Sequence, residues 1–472
     1  MVELRLYSYG PVAKVDVAGR VVDVGPDVFI AVEGVGTFEG VALERKLAKL
    51  YGEGRDVVKT AARTHRESTR RGHASLTTSM QLMMEVSDCS RALSMLLVAP
   101  PFGSYLQESQ RRARIDPRYV VTPPRLSDRG MFGAAVEKAV QTYYRLLDKG
   151  VELEDARYIL PLCTKTSLFI SCSLENYVAF MQLRRTTGLE EYLPAEVGEF
   201  AEKFEELART LAPIMVEARL GFRNRLATYP YPNPYKPQDV LMERLVRENG
   251  YLSEPTVLSV YTALDNLPEL GDLLESQSKE IYDSLNPLIT AHTLEPMSLV
   301  AYHQAIRHRT IPTSVESIYT AAERALERPE ENIIIPPSIC KEERLKAIFL
   351  EAAEGSLHSY ERLVAEGVSK ADAVLVLPQA LRLYVARLYN GFNLLHPSGF
   401  LATRTCSYAQ WEERGIAYKI MHEIVKKAPA IAPVVGEKCK HLGFCPEKNW
   451  CPIIHKYYRY DNQLHQKYAE VG

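Results

Sequence analysis

Two stretches of the chain match one another without a gap. Tyr143, Arg145, Leu146, Gly150, Val151, Asp155, Ala156, Leu160 and Pro161 recur as Tyr360, Arg362, Leu363, Gly367, Val368, Asp372, Ala373, Leu377 and Pro378, each displaced by 217 positions. Val120-Val121-Thr122-Pro123-Pro124 is echoed by Ile333-Ile334-Ile335-Pro336-Pro337 at a displacement of 213. Solenoid repeats have periods of about 20–50 residues, so this period is too long for one. It predicts two copies of one whole domain within the 472 residues. Length alone gives about three domains at about 150 residues each; the repeat resolves them into two large domains and a tail. Between the copies, Tyr229-Pro230-Tyr231-Pro232-Asn233-Pro234-Tyr235-Lys236-Pro237 holds four prolines. Such a stretch is extended and cannot continue a helix. The predicted boundaries are 1–228, a joint at 229–238, 239–438, and a tail at 439–472.

Within each copy the pattern is mainly helical. Phe200–Glu217 and Trp411–Val425 place apolar residues at helical spacing, and β-like runs fall at Val21–Val32 and Ile333–Ile335. The repeated segment reads as a helix that turns at Gly150 or Gly367 and restarts near Asp155 or Asp372. The expected class is α+β, helix-dominated, with two tandem copies. Hydrophobic residues make up 46% and charged residues 25%, which excludes a disordered chain, a collagen and a membrane bundle. No apolar run approaches the roughly 18 residues of a membrane span, and Met1–Arg5 does not begin a signal peptide; a cytoplasmic protein is expected. With 57 Lys+Arg against 59 Asp+Glu the net charge is −2, so any anion site must be local.

The strongest chemical signal is Arg307-His308-Arg309, followed after seven residues by Ser317. Successive helical residues lie about 100° apart, so Arg307 and Arg309 on a regular helix diverge by about 200°. Either the backbone leaves the helix there or the arginines serve two ligands; a solvated basic turn is the bland alternative. Pro312 favours an irregular backbone. In the first copy, Ala92 to Gln110 holds no Arg and no His, but Glu108-Ser109-Gln110-Arg111 joins a hydroxyl to a guanidinium, a pairing suited to a phosphate monoester. Arg404 is followed after four residues by Ala409-Gln410-Trp411-Glu412; in the first copy Arg184 persists without that string. Arg63, His65, Arg66, Arg70, Arg71 and His73 form a further basic run, read as a solvated helix face.

Arg-His-Arg, seven residues and Ser resembles the signature of the flavin-dependent thymidylate synthases, and Arg404 with Ala-Gln-Trp-Glu resembles a second string of that family. The resemblance covers roughly 41–217 and 286–438. It implies FAD as cofactor, methylenetetrahydrofolate as methylene donor, NADPH as reductant, and methylation of dUMP at C5 to dTMP. It implies that Arg307, His308, Arg309 and Asn390 hold the flavin. Gln304 and Ser317 would meet the nucleotide, and Arg404 and Arg184 would orient its pyrimidine. Glu108, Ser109, Gln110 and Arg111 resemble the family's nucleotide-phosphate loop, and Gly72-His73 its Gly-His pair. The family assembles as homotetramers. This chain departs from the pattern at Tyr319, where an Arg is usual, and at Ser167 and Tyr384, which replace another; Lys165 and Arg382 lie two residues away. Each copy therefore keeps about the half that the other lost. The expectation is a composite site, with the flavin grip from the second copy and the phosphate loop from the first, in a homodimer that mimics the tetramer. The alternative is a silent scaffold or RNA-binding protein on the same fold.

In the tail, Cys439, Cys445, Cys451 and His455 are separated by five, five and three residues. Three thiolates and an imidazole suit a tetrahedral structural Zn2+; an iron–sulfur site, free thiols, or His441 as a ligand are the alternatives. The spacing is similar to CCCH fingers that bind RNA, and Tyr457–Tyr460 offers stacking rings. A segment this short lacks a core of its own, so a metal-stapled cap is favoured over an RNA module.

Overall fold

The computed structural model describes residues 2–17, 19–36, 42–116, 118–126, 130–183, 191–221, 229–263, 284–447 and 451–457. The chain divides into two compact units, one of Met1–Pro237 with Pro336–Pro378, the other of Gln238–Ile335 with Gln379–Gly472.

The first unit holds strands β1 (Glu3–Gly10), β2 (Ala13–Val17), β3 (Arg20–Val24), β4 (Gln81–Ser90), β5 (Gly103–Gln107) and β6 (Lys165–Ser173). β2 and β3 pair as a hairpin; the others form a sheet in the order β1-β4-β6-β5. Leu82, Met84 and Val86 of β4 and Leu168, Ile170 and Cys172 of β6 are buried, the period-two pattern of strands with one face in a core. The second unit holds β7 (Thr256–Thr262), β8 (Ile289–Ser298), β9 (Thr313–Val315) and β10 (Arg382–Asn390), ordered β7-β8-β10-β9. The two orders are the same, with the same antiparallel pairings. The α+β class with tandem copies is thus present in the topology, not only in the sequence match.

The repeated segments behave as read. Helix Gly130–Asp148 ends before Gly150, and helix Glu343–Ala365 ends before Gly367. Both glycines have φ of +83°, a left-handed conformation that glycine adopts without steric cost. The chain then restarts at Leu153–Ala156 and Lys370–Ala373. Other readings need correction. Val21–Val32 is not one β run: β3 ends at Val24 and helix Pro26–Gly36 begins, because Pro26 suits a first helical turn. Ile333 makes a single bridge to Leu381 rather than a strand. The helix over Phe200–Glu217 is two, Ala195–Leu211 and Pro213–Gly221, divided at Pro213. Trp411–Lys427 is one helix.

The domain boundaries also shift. Pro336–Pro378 belongs to the first compact unit, where helix Glu343–Ala365 packs on its counterpart Gly130–Asp148. Pro161 bridges Pro378, Leu162 N donates to Leu377 O at 3.0 Å, and Cys163 N to Leu375 O at 2.9 Å. The Pro-rich joint is extended but not a free linker. Tyr235 is buried and donates to Ala92 O at 3.1 Å, and Tyr231 stacks on Phe180. No helix among the described residues is long and apolar enough to cross a membrane.

One buried contact recurs in both units. Glu196, at the start of helix Ala195–Leu211, accepts from Ser90 N at 2.8 Å and from the Ser90 hydroxyl. Glu412, at the start of helix Trp411–Lys427, accepts from Ser298 N at 2.7 Å and Ser298 Oγ at 2.6 Å. The glutamate of Ala-Gln-Trp-Glu therefore persists in the first copy although its string does not. Burial pushes Glu196 from the ordinary 4.5 up to about 7, against the lowering effect of the Ser90 bonds. Between pH 4.5 and 7 the native state keeps this proton while the unfolded chain has lost it. Its stabilising contribution is full below that window and is lost as pH rises through it. Glu196→Gln should lose less thermal stability than the parent between those pH values, measured by melting temperature against pH. Parallel curves would contradict this protonation.

Candidate active site

The Arg-His-Arg segment lies where a helix stops. Helix Leu299–Ala305, capped by the Ser298 hydroxyl, gives way to turns from Ile306, and Ile311 N closes onto His308 O at 3.0 Å. The backbone leaves the helix, so the three side chains need not diverge as helical positions would. Phe400 meets His308 edge-on with centroids 5.1 Å apart, and the Arg387 guanidinium lies 4.6 Å from the same ring. Arg387 forms a fully buried ion pair with Glu295, which also accepts from Tyr389 OH at 2.8 Å and Thr293 Oγ1 at 2.6 Å. Removing one member of such a pair strands a buried charge, at a cost of about 3–5 kcal/mol. Glu295 and Arg387 were missed by sequence reasoning. Their signal was a charge between apolar neighbours, Glu295 between Leu294 and Pro296 and Arg387 between Ala386 and Leu388.

Arg404 ends helix Phe400–Arg404 and faces His308. Its Nε donates to His308 Nε2 at 2.9 Å and lies 3.1 Å from Glu413 Oε2. Burial, then the positive charges of Arg404, Arg387 and Arg309, hold His308 well below its ordinary 6.5. It is a neutral imidazole accepting a guanidinium bond. Gln410 fixes the next helix, its Oε1 accepting from Glu412 N and Glu413 N at 3.0 Å each. Gln304 is half-buried, Arg307 and Arg309 likewise. Asn390 caps the following turn, accepting from Asn393 N at 3.1 Å. Ser317 is buried and caps helix Ile318–Glu327 through Tyr319 N. Arg184 lies outside the described residues.

The phosphate-type loops of the two copies differ. In the first unit a cavity of about 150 Å³ is lined by Glu108, Ser109 and Gln110 together with Arg91, Arg114 and Lys165. Gln110 is buried, and its Nε2 has no hydrogen-bond partner among the described residues. Lys165 Nζ pairs with Asp88 Oδ1 at 2.9 Å. Arg111 does not line this cavity; it donates to Glu154 Oε2 from Nε at 3.1 Å and Nη2 at 2.8 Å. The sequence singled out Arg111, but a carboxylate distant in sequence takes its guanidinium, and Arg91, Arg114 and Lys165 supply the cations instead. In the second unit the equivalent loop is sealed. Glu316, the counterpart of Glu108, is buried and accepts from Arg324 at 2.7 and 2.8 Å and from Tyr384 N at 2.7 Å. Arg324 lies 4.7 Å over the Tyr384 ring. The replacements Tyr319 and Tyr384 are buried there.

Most of the other basic run is a solvated face of helix Val57–Arg70 and the residues after it. His65 is the exception: it is buried, with Nε2 2.8 Å from Asp27 O. In the tail, Cys439 and Cys445 are buried and His455 is exposed. Among the described residues no three His, Cys, Asp or Glu side chains stand in a metal-ligating arrangement. The Cys439, Cys445, Cys451 and His455 set is not formed as the spacing suggested.

The family model described as thymidylate synthase complementing protein matches residues 39–214 and 289–430, more than half of the chain. The chain belongs to this family, that of the flavin-dependent thymidylate synthases. The flavin-dependent thymidylate synthase of Pyrococcus abyssi is 32% identical over 169 residues, covering 34% of this chain and 66% of the relative. That of Thermococcus onnurineus is 31% identical over 173 residues, covering 36% and 69%. That of Sulfurisphaera tokodaii is 34% identical over 154 residues, covering 32% and 56%. The chain thus spans about two thirds of the length of these relatives, or less. A UMP/dUMP methylase PolB from Streptomyces cacaoi, solved with 5-Br dUMP, aligns at 17% identity over 49% of this chain and 98% of its own, with a TM-score of 0.35; a likeness that distant carries no argument.

The His308 environment is testable. Arg404→Met removes both a donor to Nε2 and the nearest cation, so the His308 imidazole should titrate closer to 6.5, followed by NMR. An unmoved titration would contradict the contact.

Proposed function

We propose that the chain is a flavin-dependent thymidylate synthase whose turnover draws on both copies. FAD is held through the second copy by Arg307, His308 and Arg309, with Asn390 ordering the adjacent turn. The dUMP phosphate is held through the first copy by Ser109 and Gln110 of the Glu108–Arg111 loop, with Arg91 and Lys165. The observation that carries this reading is the difference between the two loops: in the first copy Ser109 and Gln110 open onto a cavity lined by Arg91, Arg114 and Lys165 together with Glu108 and Asp116, and in the second the Glu316–Arg324 ion pair fills the equivalent place.

The donor set suits the flavin cofactor. Two guanidiniums in an irregular turn match a pyrophosphate-bearing ligand, and a neutral imidazole beside them adds no further charge to desolvate. The flavin, when bound, supplies hydride that originates in NADPH and reduces the methylene carried by methylenetetrahydrofolate. This chain's residues bind and orient. Arg404, fixed by His308 and Glu413, presents a guanidinium suited to a pyrimidine edge, and Gln304 stands one helical turn before Arg307. We further propose that the chain works as a homodimer, in the cytoplasm.

The purified protein should carry a flavin spectrum that shifts on adding dUMP and should form dTMP. Arg307→Ala should lose the colour. Lys165→Ala should keep the flavin but weaken dUMP by about tenfold or more, the scale of one charge-assisted phosphate contact, read from the spectral titration. A colourless protein that takes up no FAD would make the chain a silent scaffold. Unchanged dUMP affinity in Lys165→Ala would remove the first copy from the reaction.

A further inference from the structure

Helix Val57–Arg70 displays a row of cations that the proposed chemistry does not use. Lys59, Arg63, Arg66 and Arg70 are all exposed. At about 100° per residue they fall within about 60° of one another, and at about 1.5 Å per residue the row is about 16 Å long. Arg71, just past the helix, is exposed too, and Gly72, with φ of +80°, turns the chain after it. The stretch 43–73 holds nine Lys and Arg against four Asp and Glu, within a chain whose net charge is −2.

Few carboxylates answer this row. Asp56 Oδ2 lies 3.5 Å from Lys59 Nζ, while its other oxygen caps the helix through Lys59 N. Glu67 pairs with Arg70 at 2.8 Å. That hydrogen bond, with the charges of Arg70, Arg71 and Arg63, holds Glu67 below its ordinary value. Among the described residues no carboxylate pairs with Arg63 or Arg66. The helix dipole accounts for cations in the last turn, at Arg70 and beside it at Arg71, but not for those at mid-helix. The opposite face is fixed: Val57, Ala61, His65 and Thr69 are buried. His65 Nε2 lies 2.8 Å from Asp27 O, and the Asp27 carboxylate accepts from Ile214 N at 2.9 Å and Met215 N at 2.8 Å. Helices Pro26–Gly36 and Pro213–Gly221 both pack on this helix, so the row stands on a firm support.

We propose that this row binds the phosphate backbone of a single-stranded nucleic acid. Cations three and four residues apart on a helix repeat at about 4.5–6 Å along its axis, close to the interval between neighbouring phosphates of an extended strand. Each guanidinium can take two oxygens of one phosphate. A bilayer fits less well, because the face opposite the cations is buried inside the unit and is not free to enter lipid. The contact reads charge and not sequence. It is separate from the binding of FAD and dUMP, whose proposed ligands are other residues of the chain.

Fluorescence anisotropy of a labelled oligouridylate with the full-length chain tests this, whether or not the chain carries flavin. The logarithm of the binding constant should fall against the logarithm of salt concentration with a slope of about −3, as for four phosphate contacts on a single strand. The double variant Arg63→Gln, Arg66→Gln should halve that slope and weaken binding about tenfold or more at low salt, with an unchanged melting temperature. Lys14→Gln, which alters an exposed cation of β2, should leave both quantities at the parent's values. Saturating dUMP should not release the strand. No binding by the parent, the parent's slope in the double variant, or release by dUMP would each overturn the assignment. Equally tight binding of poly-L-glutamate or of phosphatidylserine vesicles would overturn it as well, in favour of an acidic peptide or a membrane surface.

Discussion

The backbone pairing of Leu162 and Cys163 with Leu375 and Leu377 is the contact on which much of the first unit depends. It joins a segment to its own counterpart, displaced by 217 positions, and Pro161 meets Pro378. The helices before these segments, Gly130–Asp148 and Glu343–Ala365, pack together for the same reason. Each has a buried face, with Tyr143 and Leu146 on one and Tyr360 and Leu363 on the other. At about 1.5–3 kcal/mol for each large apolar side chain removed from water, these faces contribute heavily to the unit. The polar ends agree: Asp155 accepts from Ser338, and Asp372 from Ala195 N at 3.3 Å. A repeat in sequence has become a contact between like segments within one compact unit.

That interface explains why the domain boundary read from the sequence moved. A repeat shows where a copy begins and ends but not which unit each of its helices packs on. Gly150, Gly367 and the restarts near Asp155 and Asp372 were legible because each rests on local backbone chemistry. So was the departure from helix at Arg307–Arg309, where helical geometry and Pro312 pointed the same way. Tyr231 and Tyr235 were not legible: proline content fixed the extended backbone, while the burial of the rings depends on Phe180 and Ala92.

The site shows the same division. Arg-His-Arg and Arg404 stand out as types and spacings, and the structure brings His308 and Arg404 into contact. Arg111 was over-read, because its partner Glu154 lies 43 positions away. Glu316 and Arg324 were not singled out, because a buried ion pair leaves no periodic trace. Yet that pair makes the two copies differ. In one copy Arg91, Arg114 and Lys165 line an open cavity with Glu108 and Asp116, and in the other a cation and a carboxylate fill the equivalent place with each other.

The central claim is that the flavin grip belongs to the second copy alone. The direct measurement is the amount of FAD bound per chain at saturation, from protein concentration and flavin absorbance after removal of free cofactor. The account predicts about one FAD per chain, since one of two copies carries the Arg-His-Arg turn. Two per chain, or none, would contradict it.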